Sequence, residues 1–312
     1  MTDGTVTIDG HELTLTSPDK VYFPAAPGGE PITKAQVVDY YHRVAERMLP
    51  WVRGRPLVLH RFPAGLGGSG FYQKERPDHF PDWIRSAPVP KTGGTTNHVL
   101  AGEAATLVYL ANFGCIEFHV WPALAERPDH PDLLVFDLDP SRDLEGGGLD
   151  DVRHAARLLL ALLDELEVPV FVKSSGSRGL HLQVPVDGRA DNEGALAFCA
   201  AVARRLVDED PDRLTVEFRK RDRGDRLYVD IGRNGYAQHA AAPYTLRARP
   251  GAPVAVPLDR DEATSGRFDP RRITLENVFR RLAQLGDDPW AGFDDRRASL
   301  ADAARRLERL DR

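Results

Sequence analysis

The sequence predicts an α+β fold: a mixed or antiparallel sheet with helices packed on it, preceded by an N-terminal α/β lobe, all in one compact two-lobed unit. Three observations predict it. From residue 133 onward, apolar strand-like runs and helical periodicity alternate in the order β-α-β-β-α-β-β, which resembles a split βαβ unit with one added strand. A chain of 312 residues, 42% of them hydrophobic, can bury a large core and carries a prior of about two domains. No repeat, low-complexity tract or obvious flexible linker divides it.

Taken in order, residues 34–49, "KAQVVDYYHRVAERML", read as an amphipathic helix with Pro50 beyond its end. Short strands follow around "PLVLHRF" and "GFYQK", then a helix near 103–113 and the strand "IEFHVW". "LLVFDLD", residues 133–139, reads as a strand buried on both faces. A long helix is expected at about 150–167, then strand "VPVFVKS", a glycine-containing turn and strand "LHLQVPV". A helix at 191–208 leads to strands "LTVEF" and "RLYVDI", and residues 294–312 read as a charged amphipathic helix.

Bulk properties exclude several classes. The longest apolar stretches fall far short of a membrane span, and the N-terminus lacks a signal-peptide apolar segment, so a cytoplasmic protein is expected. The two cysteines, Cys115 and Cys199, are far apart in apolar settings and read as buried thiols. A net charge of −6 argues against a surface broadly coated for polyanions, while leaving room for a local basic groove.

Asp137 and Asp139 flank Leu138, and alternation along a strand points both carboxylates the same way. Neighbouring carboxylates raise each other's pKa, so a compensating charge is required. A third acid, Asp230, also ends an apolar strand run, and in a sheet of this order the two strands can lie side by side. Three carboxylates there make an oxygen-rich site for hard divalent cations such as Mg²⁺ or Mn²⁺, which would supply the missing charge. The turn "KSSGSRGLHL" places Ser174, Ser175, Gly176, Ser177, Arg178 and Gly179 before His181, and such a turn can offer N–H groups and hydroxyls to an anion. The basic run at 219–226, with Arg247 and Arg249, suits a triphosphate. Each signal has a bland counterpart, namely a turn pair, a hairpin turn or a solvated arginine face. The case rests on their occurring together in the order one nucleotide site needs.

The segments "VFDLDP", "SSGSRGLHL" and "YVDIGRNG…APYTLRARPGAPV" resemble the three core motifs of the archaeo-eukaryotic primase superfamily, and most of all the polymerase domain of bacterial ligase D. "TSPDKVYFP", "ITKAQVVDYY", "GRPLVLHRFPAG" and "GFYQKE" extend the resemblance, which runs from about residue 12 to about residue 285. It implies an RRM-like sheet in a primase-polymerase core at about 131–260. An N-terminal lobe at about 1–130 and C-terminal helices at about 270–312 would complete a single domain.

The resemblance also implies roles. Asp137 and Asp139 would bind two manganese or magnesium ions, with Asp230 completing the primer-side position. Ser175, Arg178 and His181 would contact the incoming nucleotide, and Arg223 and Arg247 would grip its triphosphate. Arg61 belongs with the nucleotide contacts, Phe71 and Tyr72 stack on the nucleotide or its template partner, and His119 lies near the ribose, favouring NTP over dNTP substrates. Lys20 and Lys34 would hold the 5′-phosphate of gapped or broken DNA. The sequence departs from the family at His60, where relatives often carry Lys or a small residue. It departs again at Tyr72 and Glu75, and in "PLDRDEA", which lacks a Trp after "PL".

The expected activity is therefore nucleotide addition to a primer 3′-end at DNA gaps or breaks, by two-metal transfer. With no nucleotidyl-lysine motif and no room for ligase or nuclease domains, the expectation is a separate subunit working with a DNA ligase, either in end joining with a Ku-like protein or in excision-repair gap filling. Two rival readings are a haloacid-dehalogenase-like phosphatase, which also uses "FDLD", and a non-catalytic DNA-end-binding module.

Overall fold

The Leu133–Asp139 strand is buried on both faces, with Leu134, Phe136 and Leu138 at 0% exposure and Val135 at 1%. An apolar run of this kind needs neighbours on either side. In the computed structural model, which describes residues 4–26 and 28–310, it has them. Leu180–Pro185 pairs antiparallel on one edge and Leu227–Asp230 antiparallel on the other. The sheet continues through Phe171–Ser174 to Pro257–Leu258 on the first side and ends at Leu214–Thr215 on the second, six strands in all. Leu214–Thr215 pairs in parallel with Leu227–Asp230, so the sheet is mixed, as expected.

Two helices pack against this sheet. Leu149–Glu165 buries Val152, Ala155, Ala156, Leu159, Leu160 and Leu163, a stripe at helical spacing. Asn192–Glu209 begins at Asp191, whose side chain accepts the Gly194 N–H at 2.8 Å and so satisfies one of the orphan donors of the first turn.

The chain forms two compact units. One joins residues up to Trp121 with Ala241–Ala255 and Ile273–Gln284; the other joins Pro122–Ala240, Val256–Arg272 and the chain from Leu285 onward. The six-stranded sheet belongs to the second. In the first, Leu57–Arg61 pairs antiparallel with Phe71–Gln73 on one side and Cys115–Val120 on the other. Lys34–Val52 and Ala104–Asn112 pack together there. Tyr41 is fully buried and donates its hydroxyl to the Ile116 carbonyl at 2.6 Å, which removes the cost of burying it.

Several elements differ from expectation. The first long helix runs through Pro50 to Val52, so Pro50 lies inside its last turn rather than beyond its end. The Arg53 N–H still reaches the Leu49 carbonyl at 3.0 Å, so the ladder closes past the proline. The run "LTVEF" forms a strand only at Leu214–Thr215, and Val216 and Phe218 stay exposed. Residues 294–299 precede the last helix, Leu300–Leu310, and the final two residues of the expected helix lie outside the described ones. Cys115 and Cys199 are buried free thiols. Among the described residues, no helix is long and apolar enough to cross a membrane.

Candidate active site

The pairing register assembles the acids. Asp137 stands opposite Asp230 on one side and opposite His181 on the other, and His181 in turn stands opposite Lys173. Directly opposed residues share a sheet face, so Asp230, Asp137, His181 and Lys173 form one row across four strands. Asp139, two residues along, projects to the same face as Asp137. Burial pushes the Asp137 carboxyl up to about 7; Arg233 and Lys173 pull against this, while Asp230 and Asp139 add to it.

Three cations, Arg233, Arg223 and Lys173, already offset the repulsion, and His181 contacts Asp137. Arg233 Nη2 lies 3.1 Å from Asp230 Oδ2, and its Nε lies 3.7 Å from Asp137 Oδ2. His181 Nε2 is 3.5 Å from Asp137 Oδ1, Arg223 Nη1 is 3.8 Å from Asp139 Oδ2, and Lys173 acts electrostatically on Asp137. The sequence offered a metal, the serine-glycine turn and the arginine run as partners for the acids; Arg233 and Lys173 were not among them. Arg233 follows Asp230 by three residues, after a turn in which the Gly232 N–H donates to Asp230 Oδ1 at 2.8 Å. A lysine inside the apolar run "VPVFVKS" was the available signal for Lys173.

Three carboxylates on adjoining strands are a hard-oxygen donor set, and that chemistry fits Mg²⁺ or Mn²⁺. Among the described residues, the group whose ligand atoms already lie within 4.8 Å of one another is a different one, in the other unit. Asp139 is 40% exposed and so is open to an ion from solvent.

The serine-glycine turn serves a different local purpose from the anion nest its sequence suggests. Ser175 Oγ accepts the N–H groups of Ser177, Arg178 and Gly179 at 3.2, 3.2 and 3.0 Å. Those three donors are turned onto the hydroxyl rather than outward. Arg178 Nη2 donates to the carbonyls of Pro140 and Arg142 at 2.6 and 2.9 Å, tying the turn to the loop leaving Asp139. Arg223 donates to the Glu217 and Phe218 carbonyls at 2.9 and 2.7 Å and stacks on Tyr228 at 3.7 Å.

The other unit holds a second polar cluster. Glu117 is opposite His60 in the ladder, and His119 follows Glu117 by two residues, so all three share a face. Glu117 Oε2 lies 2.9 Å from His60 Nδ1 and 3.0 Å from His119 Nε2. Its other oxygen, Oε1, accepts from Arg247 Nε at 3.1 Å and from the Ala248 N–H at 2.7 Å. Burial would raise the Glu117 carboxyl, yet these hydrogen bonds from the histidines and the charge of Arg247 outweigh it and hold the group well below the usual carboxylate range. Burial lowers His119, with Glu117 opposing. Glu117 was missed at the sequence level, although "E-F-H" on a strand already put Glu117 and His119 on one face.

Arg61 is committed within the same unit. Its Nε and Nη2 donate to the Phe113 carbonyl at 3.1 and 2.8 Å, and its Nη1 to Gln73 Oε1 at 2.6 Å. Phe71 and Tyr72 are about half exposed, at 46% and 52%. Lys20 and Lys34 are brought together by a backbone bond, Lys34 N–H to Lys20 carbonyl at 2.8 Å. Lys34 starts the long helix after the Thr33 cap, and its ammonium donates to the Thr16 carbonyl and hydroxyl at 2.5 and 2.8 Å. Lys20 Nζ donates to the Pro63 carbonyl at 2.6 Å.

A mixed sheet presenting three carboxylates from two adjoining strands, with arginines against them, is the arrangement of a primase-type nucleotidyltransferase. Residues 33–290 match the LigD primase-polymerase domain family, and the chain belongs to that family. It is 32% identical over 277 residues to the multifunctional non-homologous end joining protein LigD of Mycolicibacterium smegmatis, covering 88% of this chain and 35% of that protein. It is 30% identical to the bifunctional non-homologous end joining protein LigD of Bacillus subtilis, covering 43% of that protein. The chain thus spans between a third and a half of these relatives' length. The polymerase domain of Mycobacterium tuberculosis ligase D, solved in complex with DNA, superposes with a TM-score of 0.82 at 31% identity, covering 91% of this chain and 98% of that one.

Proposed function

We propose that this protein adds nucleotides, ribonucleotides by preference, to a primer 3′-end at DNA gaps or breaks, as the polymerase of an end-joining repair reaction. The observation that carries the reading is the register that sets Asp137 against Asp230 with Asp139 on the same face. When bound, two Mn²⁺ or Mg²⁺ ions would supply Lewis acidity at the attacking hydroxyl and the leaving pyrophosphate. Asp137 and Asp139 would hold both ions and Asp230 one of them. His181 sets the Asp137 carboxylate, while Arg223 brings positive charge to Asp139, where the triphosphate's negative charge is to be met. Ser175 and Arg178 keep the turn and the loop after Asp139 in place, and we assign their surface, with His181, to the incoming nucleotide.

Exposed Phe71 and Tyr72 are assigned to base stacking, which is tolerant of sequence. Arg61, with its guanidinium 5.3 Å from the Phe71 ring, supports that surface. Arg247 is assigned to the triphosphate. A Ku-like end-binding protein and a DNA ligase activity to seal the product are what this reaction calls for. None of the comparisons favours the phosphatase reading or the non-catalytic module. Radiolabelled nucleotide incorporation on gapped, nicked and blunt-ended DNA, with and without a 5′-phosphate, tests the proposal. Absence of incorporation on every substrate, with either metal, would reject it.

Sugar choice is assigned to His119. Glu117 holds its Nε2, which fixes the ring's orientation. His119→Ala should erode the preference for NTPs over dNTPs by about tenfold, the scale of one unpaired buried hydrogen-bond partner at roughly 1–2 kcal/mol. Competition between NTP and dNTP at one primer end measures it, and an unchanged ratio would remove His119 from this role.

Lys20 and Lys34, joined through the backbone at the start of a helix, are assigned to the 5′-phosphate, since the helix dipole also favours an anion there. Substituting both by Ala should weaken binding to 5′-phosphorylated gaps by about tenfold, and the loss should shrink as salt rises. The unphosphorylated gap should hardly change. Fluorescence anisotropy on the two substrates decides, because equal losses on both would reject the pocket. Thermal melting of the variant shows separately what removing the Lys34 hydrogen bonds to Thr16 does to the fold.

A further inference from the structure

The cluster at His60, Glu117 and His119 has no part in the assignments above except through His119. Each residue offers one ligand atom, and the three atoms lie within 4.8 Å of one another; among the described residues this is the one such group. The donors are two imidazoles and a carboxylate, a set that suits borderline transition metals better than the all-oxygen set of the three aspartates.

The carboxylate is oriented for ligation. Its Oε1 is held by Arg247 and the Ala248 N–H, leaving Oε2 to face both imidazole nitrogens, whose protons an incoming ion would displace to solvent. Outer hydrogen bonds that fix one oxygen of a ligating carboxylate are a general feature of metal sites. His60 is oriented as well: its ring stacks on Tyr72 at 4.1 Å with planes 13° apart, and lies 4.4 Å from the Phe62 ring. A tetrahedral Zn²⁺ with bonds of about 2.0–2.1 Å separates its donors by about 3.3 Å. The observed separations of 2.9 and 3.0 Å from Oε2 need only small outward shifts. The His60 side chain is 18% exposed, which leaves an approach from solvent.

We propose that His60, Glu117 and His119 form a second metal site, for a single Zn²⁺-like divalent transition ion, distinct from the aspartate site. His60 is the ligand on which the site turns, because a side chain without a lone pair to offer at that position, such as a lysine ammonium, cannot ligate. The proposal does not depend on nucleotidyl transfer.

The test uses the 312-residue chain with Asp137 and Asp139 both changed to Asn, which silences the carboxylate site. Calorimetric titration with Zn²⁺ should show one equivalent bound in this background. Adding His60→Gln, or separately His60→Lys, should weaken that binding by about tenfold or more, as loss of a ligand requires. Co²⁺ should give the visible absorption of a four-coordinate site, and both His60 variants should abolish it. Failure of the Asn-substituted protein to bind Zn²⁺ overturns the proposal. So does binding that both His60 variants leave unchanged. Either result would leave the polymerase reading intact, since that reading is decided by incorporation in the parent protein.

Discussion

Asp137→Ala or Asp139→Ala abolishes nucleotide addition while binding to gapped DNA persists: this is the expected result with the largest effect on activity. Both carboxylates sit on one strand face, and Asp137 is the centre of the row Asp230, Asp137, His181. Removing either takes away a ligand for ions that act on the charge developing during transfer. Losing one such stabilising group costs about 10²–10³-fold in rate, and losing the ions it holds costs more. DNA affinity on this reading would come from lysine and arginine contacts to phosphates away from the acids, so it should be preserved. Radiolabelled incorporation and anisotropy on the same gapped substrate measure the two effects. Normal turnover by either variant would end the assignment of this site.

The largest effect on folding is expected from Gly179→Ala. The turn from Phe171–Ser174 to Leu180–Pro185 passes so close to the acid strand that a Cβ at 179 would stand 1.8 Å from the Leu138 carbonyl oxygen and 3.0 Å from its carbon. Both are backbone atoms in the middle of a ladder, and neither can rotate away. Either the turn lifts, breaking the three N–H bonds to Ser175 Oγ, or Leu138 shifts and carries Asp137 and Asp139 with it. A loss of about 3 kcal/mol or more is expected, the range reserved for steric conflict in a packed interior. Any protein that still folds should have lost activity. Gly266→Ala is the control, with nothing within 4 Å of its added Cβ, and should stay within about 0.5 kcal/mol of the parent. Equal melting curves for the two variants would show that the turn does not approach the acid strand this closely.

Much of the candidate site was legible because strand alternation is a local property. "FDLD" put Asp137 and Asp139 on one face without reference to the rest of the chain, and "EFH" carried the same signal for Glu117 and His119, although only His119 was read from it. The helices were legible for the same reason, since a 3.6-residue period is written in neighbouring positions. Where local pattern misled, it had no neighbour to confirm it: "LTVEF" alternates like a strand, yet only Leu214–Thr215 found a pairing partner.

What sequence determined by itself, then, was the inventory of elements, the faces on which the acids and the histidine stand, and the family resemblance carried by its motifs. Tertiary structure alone decided which faces meet. Asp137 opposite Asp230 rather than one residue away, Glu117 opposite His60, and Lys34 bonded to Lys20 are facts of register between distant segments. It also decided that Arg233 and Lys173 would lie near the acids and that the turn N–H groups would close on Ser175. A slip of one residue in pairing turns every side chain of a strand to the opposite face. Register is set by the burial of whole strands and the turns that join them, so no short stretch of sequence contains it.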